Sequence, residues 1–308
     1  MRSTVEGWLR AANGVGLPGD YRLEADPSEW DSYDVLVVAA YWANQPFIDG
    51  TAPRVAHVVA PPSDLAFDLA AHAFSMGATT DELLALDGFG VRDALAWESL
   101  FFQHGLYDTT MVSARWTAPE LAARVQAGQV WLAPLEPSLI LRIHGLAADS
   151  VGAKPHSTDI GLSRMPRGMS LELKNKFPER TGDPWSARGG HWWCVPVTSP
   201  DPRLASDVIR EVTRPEFLAE AARTLGWIPT RNDLIDDFSN VFKRKEEFDL
   251  ARQAMRQIYD FGRPLPNSAR WPESATAFGR AWEAACLTRH ELAPLALAET
   301  LRRAQASR

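Results

Sequence analysis

Residues 34–40 read Asp-Val-Leu-Val-Val-Ala-Ala, and after Asp34 the run is apolar without a break. No polar residue alternates within it, so a strand with one wet face is excluded. A Val-rich run of this kind predicts a strand covered on both faces, as in a parallel sheet. Two further strand candidates flank it: the alternating segment 21–26 and the segment 54–60, which Pro61-Pro62 stops. The chain then turns helical. Helices are expected over 63–77, from Thr79 or Thr80 onward, over about 91–104 and over 117–128, three of them closed by Gly77, Gly105 and Gly128. Asp81 and Glu82 place negative charge in a first turn, where the helix dipole favours it.

Strands return at 129–135, at 158–166 and at 191–197. Residues 138–145 are an apolar run of either type. From Pro202 the pattern is helical throughout, over 203–212, 214–225, 231–240, 241–261 and 271–304. Alternating strands and helices followed by a helical last third predict an α/β fold with a mainly parallel sheet and two lobes joined by crossing segments. The opening segment predicts a short amphipathic helix capped by Ser3 or Thr4, with Val5, Trp8 and Leu9 on one face, ending at Asn13-Gly14. It has Glu6 and Arg10 inside it and no apolar core, so it does not read as a secretory signal. The sequence as it stands is therefore expected to be cytoplasmic, or periplasmic or extracellular if a leader has been removed.

Composition narrows the function classes. The 308 residues are 45% hydrophobic and 23% charged, which suits a chain that buries a core. No stretch approaches the ~20 apolar residues a membrane span needs. A net charge of -7 without a basic block argues against nucleic-acid binding. The two cysteines, Cys194 and Cys286, are too few for a disulfide scaffold or a cysteine zinc site, and are expected to be two buried thiols rather than a pair. Tryptophan stands out, with 12 residues against 5 Tyr. Indoles on this scale fill a core, or line a cleft for sugars and other ligands with apolar faces.

The order of segments resembles the extracellular solute-binding proteins of sugar ABC transporters, the family with the maltose-binding-protein type of fold. Asp34 to Val38 followed by Trp42 is similar to an early strand and loop of that family. The segment 73–84, with Gly77, Thr79 and Glu82-Leu83-Leu84, resembles its helix-opening motif. Further matches in order are 127–132, 159–162 with Met165-Pro166-Arg167-Gly168, the double-glycine stretch 188–196, Gly226 to Arg231, and the closing helices with Leu287-Thr288. The middle region is shorter than is usual in the family, so the chain reads as a reduced member. The resemblance implies a two-lobed periplasmic-binding-protein-like (type II) fold with a helical C-terminal region. Residues 1–62 would start lobe 1, 63–190 would form mainly lobe 2, and 191–308 would return to lobe 1.

The resemblance also implies non-catalytic capture of a small polar solute, a carbohydrate, in an inter-lobe cleft for ABC-type uptake or for sensing. An ABC permease or another protein would be the partner, with no cofactor, no metal, no nucleic acid and no membrane insertion. The alternative is a repurposed fold with a degenerate cleft, acting as a protein-interaction scaffold or cytosolic sensor module. The candidate ligand contacts are Trp42, Glu136, Trp185, Gly189, Gly190, His191 and Trp192. Paired glycines let a backbone approach a ligand closely. In a strand, Trp192 and Trp193 face opposite sides, so at most one lines a cleft. Trp42 sits where ligands bind in open α/β sheets, beyond a strand's C-terminal end, or else caps the sheet edge. Trp185 lies in a Gly/Pro-rich loop. Glu136 would accept hydrogen bonds from ligand hydroxyls, or be a solvated or hinge carboxylate. Trp116 is a pocket wall or an N-terminal staple of the following helix. His57 reads as a satisfied core histidine. Asp64 and Asp68 read as an acidic first turn rather than a cation site. The enzyme motifs HExxH, GxSxG, the P-loop and GxGxxG after a strand are all missing from the sequence, which points away from an enzyme.

Overall fold

A computed structural model of the chain describes residues 2–14, 16–17, 19–45, 54–136, 139, 143, 161–171, 182–188, 193–225, 231, 233–234, 245–287 and 294–306. These fall into two compact units. The first contains 1–134, 163–188 and 261–308; the second contains 135–162 and 189–260.

The first unit opens with helix α1 (Arg2–Asn13), which buries Val5 and Leu9 as its spacing predicts and leaves Trp8 to stack on His104 at 4.1 Å. The helix already runs at Arg2, so Ser3 and Thr4 lie within its first turn rather than capping it. Next comes α2 (Ser32–Ala43), and here the structure corrects the sequence reading. The run 34–40 is helix, not strand. The deciding feature is local. Asp31 accepts hydrogen bonds from the Tyr33 and Asp34 amides, and the Asp34 carboxylate accepts one from the Asp31 amide. This reciprocal capping box satisfies donors that an isolated helix start leaves orphaned. Once the helix is nucleated, Tyr33, Leu36 and Ala40 fall on one fully buried face, while Val37 and Val38 stay half-buried.

Strand β1 (Arg54–Val55) pairs in parallel with β2 (Val130–Leu132), and β3 (Ser186–Arg188) pairs in parallel with β4 (Gly262–Pro264). The parallel pairing is as expected; among the described residues its extent is much smaller. Of the segment 54–60 only the first two residues are strand. Residues 21–26, 161–166 and 193–196 are irregular. Segment 21–26 alternates, but Leu23 points to solvent and, among the described residues, no neighbouring strand takes up its backbone groups.

The helices follow the sequence closely. They are α3 (Pro62–Ser75), α4 (Thr80–Ala85), α5 (Phe89–Gln103), α6 (Thr110–Ser113) and α7 (Ala118–Gln126). Thr79 caps α4 and Thr117 caps α7, each in a capping box with a glutamate, Glu82 and Glu120. Trp116, just before that second cap, is fully buried beside the helix, and so is Leu121 in its first turn. Full burial leaves Trp116 no face for a pocket wall; it stands one residue before the cap, the position from which a staple residue meets Leu121.

In the second unit, α8 (Pro202–Val212) and α9 (Pro215–Leu225) appear as expected. Helix α10 (Lys245–Phe261) carries the chain back to the first unit. The expected helix 231–240 and the run 138–145 lie almost wholly outside the described residues. The long closing helix is two, α11 (Trp271–Leu287) and α12 (Pro294–Ala306), the second opening on a first-position proline.

The core of the first unit lies where α11 packs on α3, α5 and α12. Trp97, Trp116 and Trp282 are among its largest fully buried side chains, so part of the tryptophan excess is core. Returning segments seat on the C-terminal turn of α3. The Gly168 amide donates to the Ser75 carbonyl at 3.1 Å, and the Gly182 amide donates to the Gly168 carbonyl at 2.8 Å. A Cβ at Gly182 would lie 1.6 Å from the Ser75 carbonyl oxygen and one at Gly168 would lie 2.3 Å from it, so both positions require glycine. Arg263 adds a bond to the Ala78 carbonyl at 3.2 Å.

Asp31→Ala is expected to lower stability by about 1 kcal/mol through loss of the cap, read as a lower urea midpoint. An unchanged midpoint would show that the box does not set the start of α2.

Candidate functional site

The sequence candidates separate on the structure. Trp42 does not follow a strand. It occupies the last turn of α2, 37% exposed, with its ring edge-on to Tyr41 at 5.5 Å; Tyr41 is itself 48% exposed. Sheet-edge capping is therefore not its role. Trp185 precedes β3 and is half-buried. Its indole N–H donates to Asp183 Oδ2 at 3.0 Å, the Arg263 guanidinium lies 4.4 Å over its ring, and Phe261 meets it edge-on at 6.5 Å. One face of this indole is thus already covered by a cation. Arg164 continues the stack over Phe261 at 5.2 Å and also bonds Glu29 and the Ser28 carbonyl. Glu136 is exposed. Gly189, Gly190, His191 and Trp192 lie outside the described residues. Trp193 is 58% exposed in an irregular segment, so the opposite-faces argument drawn from a strand does not apply to it. Cys194 is exposed rather than buried; Cys286 is buried, and both thiols are free.

A cluster that the sequence reading missed lies in the core of the first unit. The Glu98 carboxylate on α5 is fully buried and collects donors from several elements. Its Oε1 is 2.7 Å from His72 Nδ1 on α3. Its Oε2 accepts the Tyr107 hydroxyl at 2.9 Å and the Trp282 indole N–H of α11 at 3.0 Å, and lies 3.1 Å from His57 Nε2. His57 Nε2 also sits 2.6 Å from the Tyr107 hydroxyl. On the other side of that ring, His57 Nδ1 and Asp68 Oδ2 are 3.9 Å apart, and neither atom has a hydrogen-bond partner. His57 is therefore a core histidine satisfied on one side only. Asp68 does not belong to an acidic first turn; it points inward.

The electrostatics follow from burial and charge. Burial alone would lower the His57 pKa, but the Glu98 and Asp68 carboxylates outweigh it and raise it to about 10. Burial alone would raise that of Glu98, yet the His57 and His72 imidazoles hold it well below the usual range. Burial raises Asp68, with His57 opposing. Burial and the Glu98 charge push the Tyr107 hydroxyl and the Cys286 thiol up, so neither is an activated nucleophile. A signal for this cluster existed. Val91, Ala94, Leu95, Glu98 and Phe101 share one helical stripe, and Glu98 is the carboxylate on it. Among the described residues no group of His, Cys, Asp and Glu is arranged to hold a metal ion, and no helix is long and apolar enough to cross a membrane.

Comparison with known proteins agrees with this architecture. Residues 20–250 match the family model described as bacterial extracellular solute-binding protein, and the chain belongs to that family. A solved structure, maltose-bound MalE3 of T. maritima, is similar to this chain with a TM-score of 0.64 at 16% identity. The match covers 92% of this chain and 66% of that one, so the chain spans just under two thirds of its neighbour's length. It establishes the expected fold class, a helix-rich α/β fold of the two-lobed solute-binding type. No curated protein matches the sequence.

The cluster sets a pH dependence. Below pH 6.5 both folded and unfolded chains protonate His57 and its stabilisation is full. Above 6.5 only the folded chain keeps the proton, so stability falls as pH rises towards about 10. The expected slope approaches ~1.4 kcal/mol per pH unit, read by urea unfolding at pH values below 9.0, where Cys286 does not yet contribute. Glu98→Gln should flatten the slope; a wild-type curve already flat there would refute the charged His57.

Proposed function

We propose that the chain captures a small polar solute, a carbohydrate, reversibly and without chemistry, and hands it to an ABC-type permease or reports it to a sensing partner. The observation that carries this reading is the exposed Tyr41–Trp42 pair on the last turn of α2, in a chain of the solute-binding family. Two large rings set edge to face and open to water are costly unless something covers them. An indole face matches the C–H face of a sugar ring, while backbone amides and carboxylates take its hydroxyls. The maltose in the similar structure favours the same ligand class. Glu136 and the 189–192 loop are proposed as the polar contacts, Trp42 as the principal stacking face, and Trp185 as a second face on the side that Arg263 leaves open.

A second reading, a scaffold that binds another protein, has its own support. Helix α8 buries no residue, and it exposes Leu204 (61%) and Val208 (51%), with Phe217 of α9 exposed at 46%.

The two readings separate in a thermal-shift screen of the dialysed protein against mono- and oligosaccharides including maltose, with amino acids, polyamines and nucleotides as further arms. A sugar present at ~100 times its Kd adds about 2.7 kcal/mol, a clear rise in Tm. Trp42→Ala is expected to remove the shift, measured against the Tm of the same variant without sugar. No shift from any sugar would overturn the carbohydrate reading, and no shift across the whole panel would favour the scaffold.

A further inference from the structure

We propose that α8 is a self-pairing surface. Two copies of the chain associate through it, with the two helices antiparallel about a two-fold axis level with Asp207. The pairing is independent of solute capture.

The apolar residues of α8 carry the first part of the argument. Leu204, Ala205, Val208, Ile209 and Val212 recur at helical spacing and form one broad stripe. The chain's own fold takes up only one edge of it. Ala205, Ile209 and Val212 are half-buried, whereas Leu204 and Val208 stand 61% and 51% exposed, and the helix buries no residue. The segment that leads into α8 exposes Trp193 and Val197 as well. Apolar side chains exposed together and rimmed by charge mark a contact surface.

The charges indicate what covers it. At 3.6 residues per turn, Glu211 and Asp207 edge the open stripe on one side, and Arg203 and Arg210 lie beyond them. Asp207 pairs with Arg210 at 2.7 Å and Glu211 with Arg214 at 3.1 Å, while Arg203 makes no ion pair among the described residues. Arg203 and Glu211 flank Asp207 symmetrically. Each is four residues from it, about 6 Å along the helix axis.

A second α8 laid antiparallel, its Asp207 level with the first, brings Arg203 level with the second copy's Glu211. Two-fold symmetry sets the same flank of both helices on the same side, so the reciprocal pair forms at the other end. In this register Leu204 falls between the second copy's Val208 and Val212, about 3 Å along the axis from each, so the ridges interdigitate. The two Asp207 carboxylates come level across the axis, each already matched by its own Arg210. One register thus covers the open stripe and supplies Arg203 with an acid. A different protein would need the same spacing of acid and apolar side chains; a second α8 has it already.

The test is self-association of the full chain without added sugar, measured by sedimentation equilibrium over a concentration series. The wild-type chain is expected to pass from one chain mass to two as concentration rises. Arg203→Glu and Glu211→Arg each set like charges together at both contacts, and each should weaken association at least about tenfold. Mixed in equal amounts, the two variants should associate again, because each reversal then meets the opposite charge at both contacts. Circular dichroism matched to wild type shows that the variants are folded. A wild-type chain that stays a monomer at every concentration overturns the proposal and leaves α8 to a different protein. A dimer that survives both reversals, or a mixture that stays monomeric, overturns it equally. If either reversal does not fold, Leu204→Ser decides: association lost supports the pairing, and association unchanged overturns it.

Discussion

A carboxylate with no exposed surface holds the first unit together. Glu98 gathers His72 from α3, Tyr107 from beyond α5 and Trp282 from α11, with His57 of the 56–59 segment 3.1 Å away. A buried anion is tolerated only when paired and hydrogen-bonded. Here the pairing partner is a histidine made cationic by the same anion, so the charges are mutually dependent. Removing any one of them leaves the others buried without compensation. Such a network is demanding of geometry, and it fixes the register of α3, α5 and α11 more tightly than apolar packing alone requires.

One of the helices so fixed also seats other segments of the chain. Helix α3 ends in the turn that seats Gly168, Gly182 and Arg263, and these belong to segments that return from the second unit. The stack of Arg164, Phe261, Trp185 and Arg263 lies along the same returning segments. Trp185 is thus partly committed to anchoring them, whereas Trp42 and Tyr41 stand at the end of α2, 37% and 48% exposed.

Much of this was legible in the sequence. Helices α3, α4, α5 and α7 were readable because caps, periodic apolar stripes and closing glycines all agreed. The order of motifs along the chain led to the right family and fold class. The run 34–40 was misread because its β-branched composition outweighed the Asp31-to-Asp34 capping box in front of it, and only the box states where a helix starts. Short strands such as β3 and β4 are set by partners distant in sequence and leave almost no local pattern. Glu98 was overlooked because a carboxylate on an apolar stripe reads as a surface intrusion until its donors, which come from four separate segments, are brought together by folding. For the candidate contacts the sequence shows where the indoles stand along the chain, but not what covers them. Whether an indole is free or already stacked, as Trp185 is on Arg263, depends on contacts no spacing encodes.

Binding in this account rests on a scaffold whose core is ionised at neutral pH. That claim is tested most directly by nitrogen-15 NMR of the His57 imidazole in the folded protein at pH 8, well above the 6.5 of an unperturbed ring. The account predicts an imidazolium, with both ring nitrogens carrying protons. A neutral ring at that pH, with one bare nitrogen, would contradict it and remove the charge on which the Glu98 cluster depends.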